Sequence, residues 1–294
     1  MKKWPCIEGG NGFFRHVLLK GAVALSAAAV VAGSLAAPAA ANSLLDKIKA
    51  GEPIRIGYSN DAPWAYSGDN NEPQGIGNTV VLAVLKKLGA TKFEPVVTEW
   101  GSLIPGLQAG RFDLISDGMY VRPERCRNVL FTEPYAAVTD ALVVPAGNPK
   151  GLTSLEDIRD KGATVVTGSA FASLKNARDA GISDEQIMQV PGYAEIIQAM
   201  KAGRVDAGVG DYLGLKKAIH NDEKLQLATS TSKPNQTGFP AVAFPLDDRA
   251  SVDAFNAALK EYVGSAEMLT AVGNDGYDKS LLPGDAKTAD LCKG

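Results

Sequence analysis
The sequence predicts an α/β fold made of two sheet-and-helix units. Two observations carry the prediction. Apolar strand-length segments alternate with amphipathic helix-length segments along most of the chain, and the alternation starts afresh near Gly151. Such alternation implies parallel sheets with helices on both faces. Length agrees: of 294 residues, 253 remain once an N-terminal leader is set aside, enough for one large or two medium domains.

The leader is residues 1–41. Lys2, Lys3, Arg15 and Lys20 supply positive charge, the apolar run GAVALSAAAVVAGSLAA fills 21–37, and Ala39-Ala40-Ala41 offers a small-x-small cleavage site. The alternative is an uncleaved membrane anchor, but the run is rich in Ala, Gly and Ser and shorter than the ~20 strongly apolar residues a span needs. Cys6 precedes the run, so it is not a lipid-attachment cysteine, and there is no twin-arginine pair. The expectation is an export signal.

In the first unit, IRIGYS at 54–59 reads as a strand ending in a polar loop. TVVLAVLKKLGA at 79–90 carries Val81, Val84, Leu85 and Leu88 at helical spacing and stops at Gly89. KFEPVVT at 92–98 is a strand, and a short helix runs from Ser102 to Leu107 with Pro105 in its first turn. FDLIS at 112–116 and ALVVP at 141–145 are buried strands. In the second unit, Thr153 and Glu156 form a capping box for a helix over 154–160. ATVVTG at 163–168 is a strand running into the turn GSA, followed by a helix over 171–179. YAEIIQAMKAGR at 193–204 places Tyr193, Ile196, Ile197 and Met200 on one face. VDAGVGD at 205–211 and LQLATS at 225–230 are strands. AVAFPL at 241–246 returns, and a helix over 250–263 buries Val252, Phe255 and Leu259.

Several kinds of chemistry are excluded. His16 leaves with the leader, so His220 is the one histidine left, on a polar helix end. No His/Cys metal cluster can be assembled, and no catalytic triad without that residue. There is neither a GxxxxGK[ST] loop nor a GxGxxG after a strand, so no cofactor is expected. Losing the leader removes a net +3 and takes the formal charge from −3 to −6, which argues against a nucleic-acid partner. Cys126 and Cys292 are the cysteines that remain. In an exported protein they are most simply a disulfide, two free thiols being the alternative.

Binding therefore leads over catalysis, and the candidate residues gather at strand-to-helix junctions, where open α/β sheets hold ligands. NDAPW offers Asp61 as an acceptor for a cationic nitrogen and Trp64 as a stacking face, or alternatively a core tryptophan. Trp100 follows a strand and precedes a helix. Gly118 permits close backbone approach, and Tyr120 adds an aromatic face. Arg125 has a guanidinium fork that matches a carboxylate. Ser169 and Ala170 open a helix whose first amides favour an anion. Asp211 ends a strand, where it can hold an ammonium group, cap the next helix, or both.

The run AGRFDLISDGM…PER…FTEPY resembles the periplasmic solute-binding proteins of polar-amino-acid ABC importers, over roughly Ile54 to Tyr277. That resemblance implies a two-lobed type II periplasmic binding protein fold with a hinge and central cleft. Lobe 1 would be discontinuous, 42–143 and 241–294, with lobe 2 at 144–240. It further implies a periplasmic monomer that delivers a small zwitterionic ligand to an inner-membrane ABC permease. The ligand carboxylate would be held by Arg125 and by amides at Gly118, Ser169 and Ala170, its amino group by Asp211. Within that family the resemblance runs to ectoine- and hydroxyectoine-binding proteins. It implies a cation–π box of Trp64, Trp100 and Tyr120 beside Asp61, together with the pair Cys126 and Cys292. The ligand stays open between such compatible solutes, betaines and amino acids or their conjugates. An enzyme on the same scaffold, similar to cyclohexadienyl dehydratases with Asp61 or Glu99 as general acid, and a presenter of ligand to a chemoreceptor are the alternatives.

Overall fold
The computed structural model describes residues 43–228 and 237–293, so the expected leader lies outside the described residues. Among those residues no helix is long and apolar enough to cross a membrane. α1 (Leu44–Ala50) is capped by Ser43 and ends on Gly51, in the left-handed region. β1 (Ile54–Tyr58) is followed by the small antiparallel pair β2 (Tyr66–Ser67) and β3 (Pro73–Gln74), then by α2 (Ile76–Lys87). β4 (Phe93–Val97) leads through a 3-10 turn at Trp100–Ser102 into α3 (Leu103–Gln108). β5 (Leu114–Ile115), α4 (Pro123–Cys126) and β6 (Leu130–Phe131) complete the first passage.

β7 (Val138–Pro145) opens the second lobe, followed by α5 (Leu155–Asp160), β8 (Val165–Gly168), α6 (Ala172–Asp179), β9 (Ile187–Val190), α7 (Tyr193–Lys201), β10 (Ala207–Asp211), α8 (Tyr212–Ala218), β11 (Leu225–Leu227) and β12 (Thr237–Gly238). The chain returns with β13 (Ala243–Phe244), α9 (Arg249–Tyr262), α10 (Ala266–Val272) and α11 (Thr288–Leu291).

The strands form two main sheets. One has the order β4-β1-β5-β13-β6; the other runs β11-β7-β10-β8-β9, with β12 also on β7. Neither is purely parallel, contrary to the expectation from the alternation. β1 is parallel to β4 and β5, and β8 to β9 and β10. The strands nearest the crossings run the other way: β7 is antiparallel to β10, β11 and β12, and β13 to β5 and β6. A strand that enters a sheet directly from the other lobe has no helical crossover to turn it parallel. The expected lobe boundary at 143 also falls inside β7, which pairs only within the second sheet from Val138 onward. The chain passes from the second sheet back to the first between β12 and β13.

Each sheet buries both faces. In the first lobe Val80, Val81, Val84 and Leu85 of α2 pack with Val252, Phe255 and Leu259 of α9. On the opposite face Leu103 and Leu107 of α3 meet Phe112, Met119 and Phe131. In the second lobe Ile196, Ile197 and Met200 of α7 cover one face, while Leu155 and Ile158 of α5 cover the other. A fully buried side chain of this kind contributes about 1.5–3 kcal/mol. The expected Thr153/Glu156 capping box does not form; Ser154 is the N-cap of α5. Ser154 Oγ accepts Asp157 N–H at 3.0 Å, and Asp157 reaches back to Thr153 N–H at 2.8 Å.

The two crossings are bonded to each other. Thr132 N–H donates to Val242 O and Tyr135 N–H to Pro240 O. The segment after β5 joins them, with Val121 N–H on Phe239 O and Ala241 N–H on Met119 O. Gly238 is required there by close approach, since a Cβ would fall 1.9 Å from the Tyr120 ring. Beside this seam Cys126 and Cys292 form a disulfide with Cα atoms 5.7 Å apart. It ties the C-terminal tail to the segment that carries Arg125, and Thr288 Oγ1 adds a hydrogen bond to Thr132 O.

Candidate functional site
A compact cavity of about 40 Å³ lies between the two sheets. The first lobe lines it with Asp61, Trp64, Trp100, Asp117, Gly118, Tyr120 and Arg125; the second with Asp140, Phe171, Ala172, Ser173, Tyr193 and Asp211. Asp61, Trp100 and Tyr193 also line a wider groove alongside. Most of these residues follow the carboxyl ends of β1, β4, β5, β8 and β10, the position expected of a ligand in open α/β sheets.

Arg125 sits in the single turn of α4, started by Pro123. It is only 9 % exposed. Its Nη1 donates to Tyr120 O at 3.1 Å and its Nη2 to Ala170 O at 3.0 Å. Both partners are carbonyls, so the charge has no carboxylate bonded to it among the described residues. Burial, with Arg122 nearby, lowers the guanidinium to about 10, which leaves it charged at neutral pH. Its Cζ stands 5.6 Å from the centroid of the Trp100 ring. One cation on that ring is therefore supplied by the protein itself.

The other residues of the expected aromatic box are also engaged. Trp64 is 4 % exposed and belongs to the first-lobe core while lining the cavity, so both readings of it hold. Its Nε1–H crosses the cleft to Asp211 Oδ1 at 3.0 Å. Gly118 lines the cavity and also makes room for the tryptophan: at φ 65, a Cβ there would lie 2.7 Å from the indole Cδ2. Tyr120 is 8 % exposed, and its hydroxyl has no hydrogen-bond partner among the described residues. Phe171 meets Trp100 edge-on at 5.5 Å and Tyr193 at 5.2 Å, extending the aromatic lining into the second lobe.

Asp211 caps α8, accepting Gly214 N–H on Oδ1 at 2.9 Å, while Tyr193 OH donates to Oδ2. With Trp64 that makes three donors on one carboxylate, which oppose the upward push of burial on its pKa. Ser169 and Ala170 lie outside the ring of lining residues. α6 starts at Ala172, one residue later than expected, and Phe171, Ala172 and Ser173 face the cavity. The Ser169 amide is used by Val190 O, and Ala170 contributes its carbonyl to Arg125 and to Trp100 Nε1.

The cavity is rich in acid. Asp61 accepts the Ser59 hydroxyl at 3.2 Å, and burial raises its carboxyl to about 6. Asp140 accepts Asn176 Nδ2 at 2.8 Å, and burial raises it to about 7. Asp117 accepts both Ser59 N–H, at 2.6 Å, and the Ser59 hydroxyl on Oδ2. Burial and then Asp61 push it well above the usual carboxylate range. Sequence reasoning missed Asp117, Asp140, Phe171, Ala172, Ser173 and Tyr193. Two of them leave a signal: Asp140 is a charge within the apolar strand VTDALVVP, and Asp117 follows a buried strand directly before a glycine.

The model of the bacterial extracellular solute-binding proteins, family 3, matches residues 54–270. A probable amino-acid ABC transporter periplasmic-binding protein, y4tE of Sinorhizobium fredii (strain NBRC 101917 / NGR234), is 32 % identical over 277 residues, 91 % of this chain and 92 % of that protein. The crystal structure of EhuB in complex with hydroxyectoine superposes with a TM-score of 0.76 at 26 % identity, covering 85 % of this chain and 97 % of the other. The ancestral amino acid-binding protein AncCDT-1, a precursor of cyclohexadienyl dehydratase, gives 0.70 at 25 % identity, with coverage of 79 % and 99 %. The curated relatives carry binding-protein names, and this chain is a binding protein rather than an enzyme. With its type II two-lobed fold and a matched span reaching across both lobes, the chain belongs to the bacterial extracellular solute-binding proteins of family 3, the solute-binding components of amino-acid ABC transporters.

Proposed function
We propose that this protein is a periplasmic receptor that captures one small zwitterion by hinge closure and hands it to an ABC permease. Residues 1–41 serve as its export signal, and it works as a monomer. The observation that carries the reading is Arg125, a buried guanidinium bonded only to carbonyls on the wall of an acid-rich, aromatic cavity. An anion on Arg125 and a cation among the carboxylates describe the two ends of a zwitterion. The first-turn amides of α6 at Ala172 and Ser173, which have no partner within a helix, support the anion end. Hinge closure is supported by the two bonded crossings and by side chains from both lobes lining one cavity.

The ligand class is a compact zwitterion: an ectoine- or hydroxyectoine-like solute, or an amino acid. The likeness to EhuB supports the first and the names of the curated relatives the second. Mass spectrometry of the small molecule released when the purified protein is denatured tests the reading, with calorimetry of that molecule on refolded protein. Recovery of a zwitterion that rebinds stoichiometrically is the expected result; a dicarboxylate or an uncharged sugar overturns it.

A further inference from the structure
Each of the four carboxylates on the cavity accepts at least one hydrogen bond from the protein. Asp211 has Trp64, Tyr193 and Gly214; Asp140 has Asn176, with Arg122 nearby; Asp61 shares the Ser59 hydroxyl. Asp117 differs. It is 1 % exposed, and its Oδ2 takes both Ser59 donors, while its Oδ1 has no hydrogen-bond partner. Few buried polar atoms in native proteins are left so, because an unmade hydrogen bond to a buried group is destabilising, the more so when the group is charged. Asp61 reaches the same Ser59 hydroxyl from the end of β1, so two carboxylates converge on one point of the first lobe. Arg125 is the one cation lining the cavity, among the described residues, against these acids.

We propose that Asp117, with Asp61 beside it, is the cation-recognition end of the cavity, and that the ligand's positive charge sits on nitrogen bearing N–H. The inference rests on the zwitterion reading above and narrows it. The expected cation site, Asp211, is filled by protein donors. The expected cation–π box has one of its rings facing Arg125. An ammonium, amidinium or guanidinium donates a hydrogen bond to Asp117 Oδ1; a quaternary ammonium has none to give. The site therefore selects amino acids and cyclic amidinium solutes and rejects betaines. The phenols of Tyr58 and Tyr135 lie near Asp117 and are held neutral, since burial raises both. They add no competing charge.

The test is calorimetry of the full mature chain with three zwitterions: ectoine (amidinium), arginine (guanidinium and ammonium) and glycine betaine (quaternary). At least one N–H ligand is expected to bind at least a hundredfold more tightly than betaine. Asp117→Asn is expected to weaken that ligand at least tenfold while keeping the circular dichroism spectrum and the thermal midpoint. Binding near pH 6.5 is expected to release protons, read from the difference in heat between phosphate and Tris, and Asp117→Asn to reduce that release. Betaine binding within threefold of the best N–H ligand overturns the inference on native protein alone, whether or not the variant folds. So does an Asp117→Asn variant within twofold of native. If none of the three binds and denaturation releases no zwitterion, the parent reading fails, and this one with it.

Discussion
Arg125 shows how one residue is placed by several constraints at once. Pro123 starts the turn beneath it, Cys126 beside it is cross-linked, and two carbonyls fix its fork. Arg125→Lys keeps the charge but has one point donor group where the fork had a plane. Calorimetry is expected to show a loss of about 2 kcal/mol, roughly thirtyfold, for the removal of a charge-assisted contact; binding within twofold of native removes Arg125 from the anchor role. The acids predict a pH dependence. Burial raises Asp61 to about 6 and Asp140 to about 7, both above their unfolded values near 4. Between those limits the folded chain holds more protons than the unfolded one, so stability from these groups falls as pH rises from about 4 to 7. A cation bound beside Asp61 draws that carboxyl back down. The thermal midpoint of ligand-free protein is thus expected to fall between pH 5 and 8, and the ligand-induced rise to be larger at pH 8; a larger rise at pH 5 contradicts the assignment. Asp61, Trp64, Trp100, Gly118, Tyr120, Arg125 and Asp211 were legible because each follows a strand and suits a ligand by type. Ser169 and Ala170 fall just short of the lining, which in this segment begins at Phe171. Tyr193 was not legible, because an apolar helix-face tyrosine reads equally well as core, and the signal of Asp117, a strand-end aspartate before a glycine, reads equally well as a cap.

At the level of elements, the cross-link between α4 and the tail beyond α11 stands out. Its two cysteines are 166 residues apart, so closing that loop restricts the unfolded chain strongly. Loop-entropy models put the stabilisation at about 3–5 kcal/mol. Non-reducing peptide mapping is expected to recover one Cys126–Cys292 peptide. The double Cys→Ser variant is expected to melt lower and to expose the tail to protease before the second lobe. Two alkylatable thiols in native material, or an unchanged midpoint, defeat the prediction. The strands and helices themselves were mostly legible to within a few residues, because each unit repeats a clear apolar period. What period could not carry was strand direction. β7 and β13 read as ordinary buried strands, and only their pairing shows that they run against their neighbours. β9 was not anticipated: its mixed sequence IMQV lies at a sheet edge and is only half-buried.

At the scale of the molecule, the lobes are joined by side chains as well as by the two crossings. Arg122 donates to Ala172 O and Asn176 Oδ1, and Arg125 to Ala170 O. The indoles of Trp64 and Trp100 span the cleft to Asp211 Oδ1 and Ala170 O. The chain has three tryptophans, and the third, Trp4, is in the leader. In a mature chain that starts after Ala41, both remaining fluorophores therefore report on the cleft and on nothing else. If hinge motion governs capture, opening frees both indole N–H groups to water, and ligand returns them to their partners. Emission is expected to shift to the blue and acrylamide quenching to fall as ligand is added. The variants Trp64→Phe and Trp100→Phe, each leaving a single reporter, are expected to show the same change at the other site, with a midpoint that matches the calorimetric one of the same variant. A lobe that moved as a rigid body would give this concerted response; a side chain merely covered by ligand would move one signal alone. Calorimetric binding with both indoles equally quenchable before and after would rule out closure as the capture step, while leaving the cavity as the place of binding.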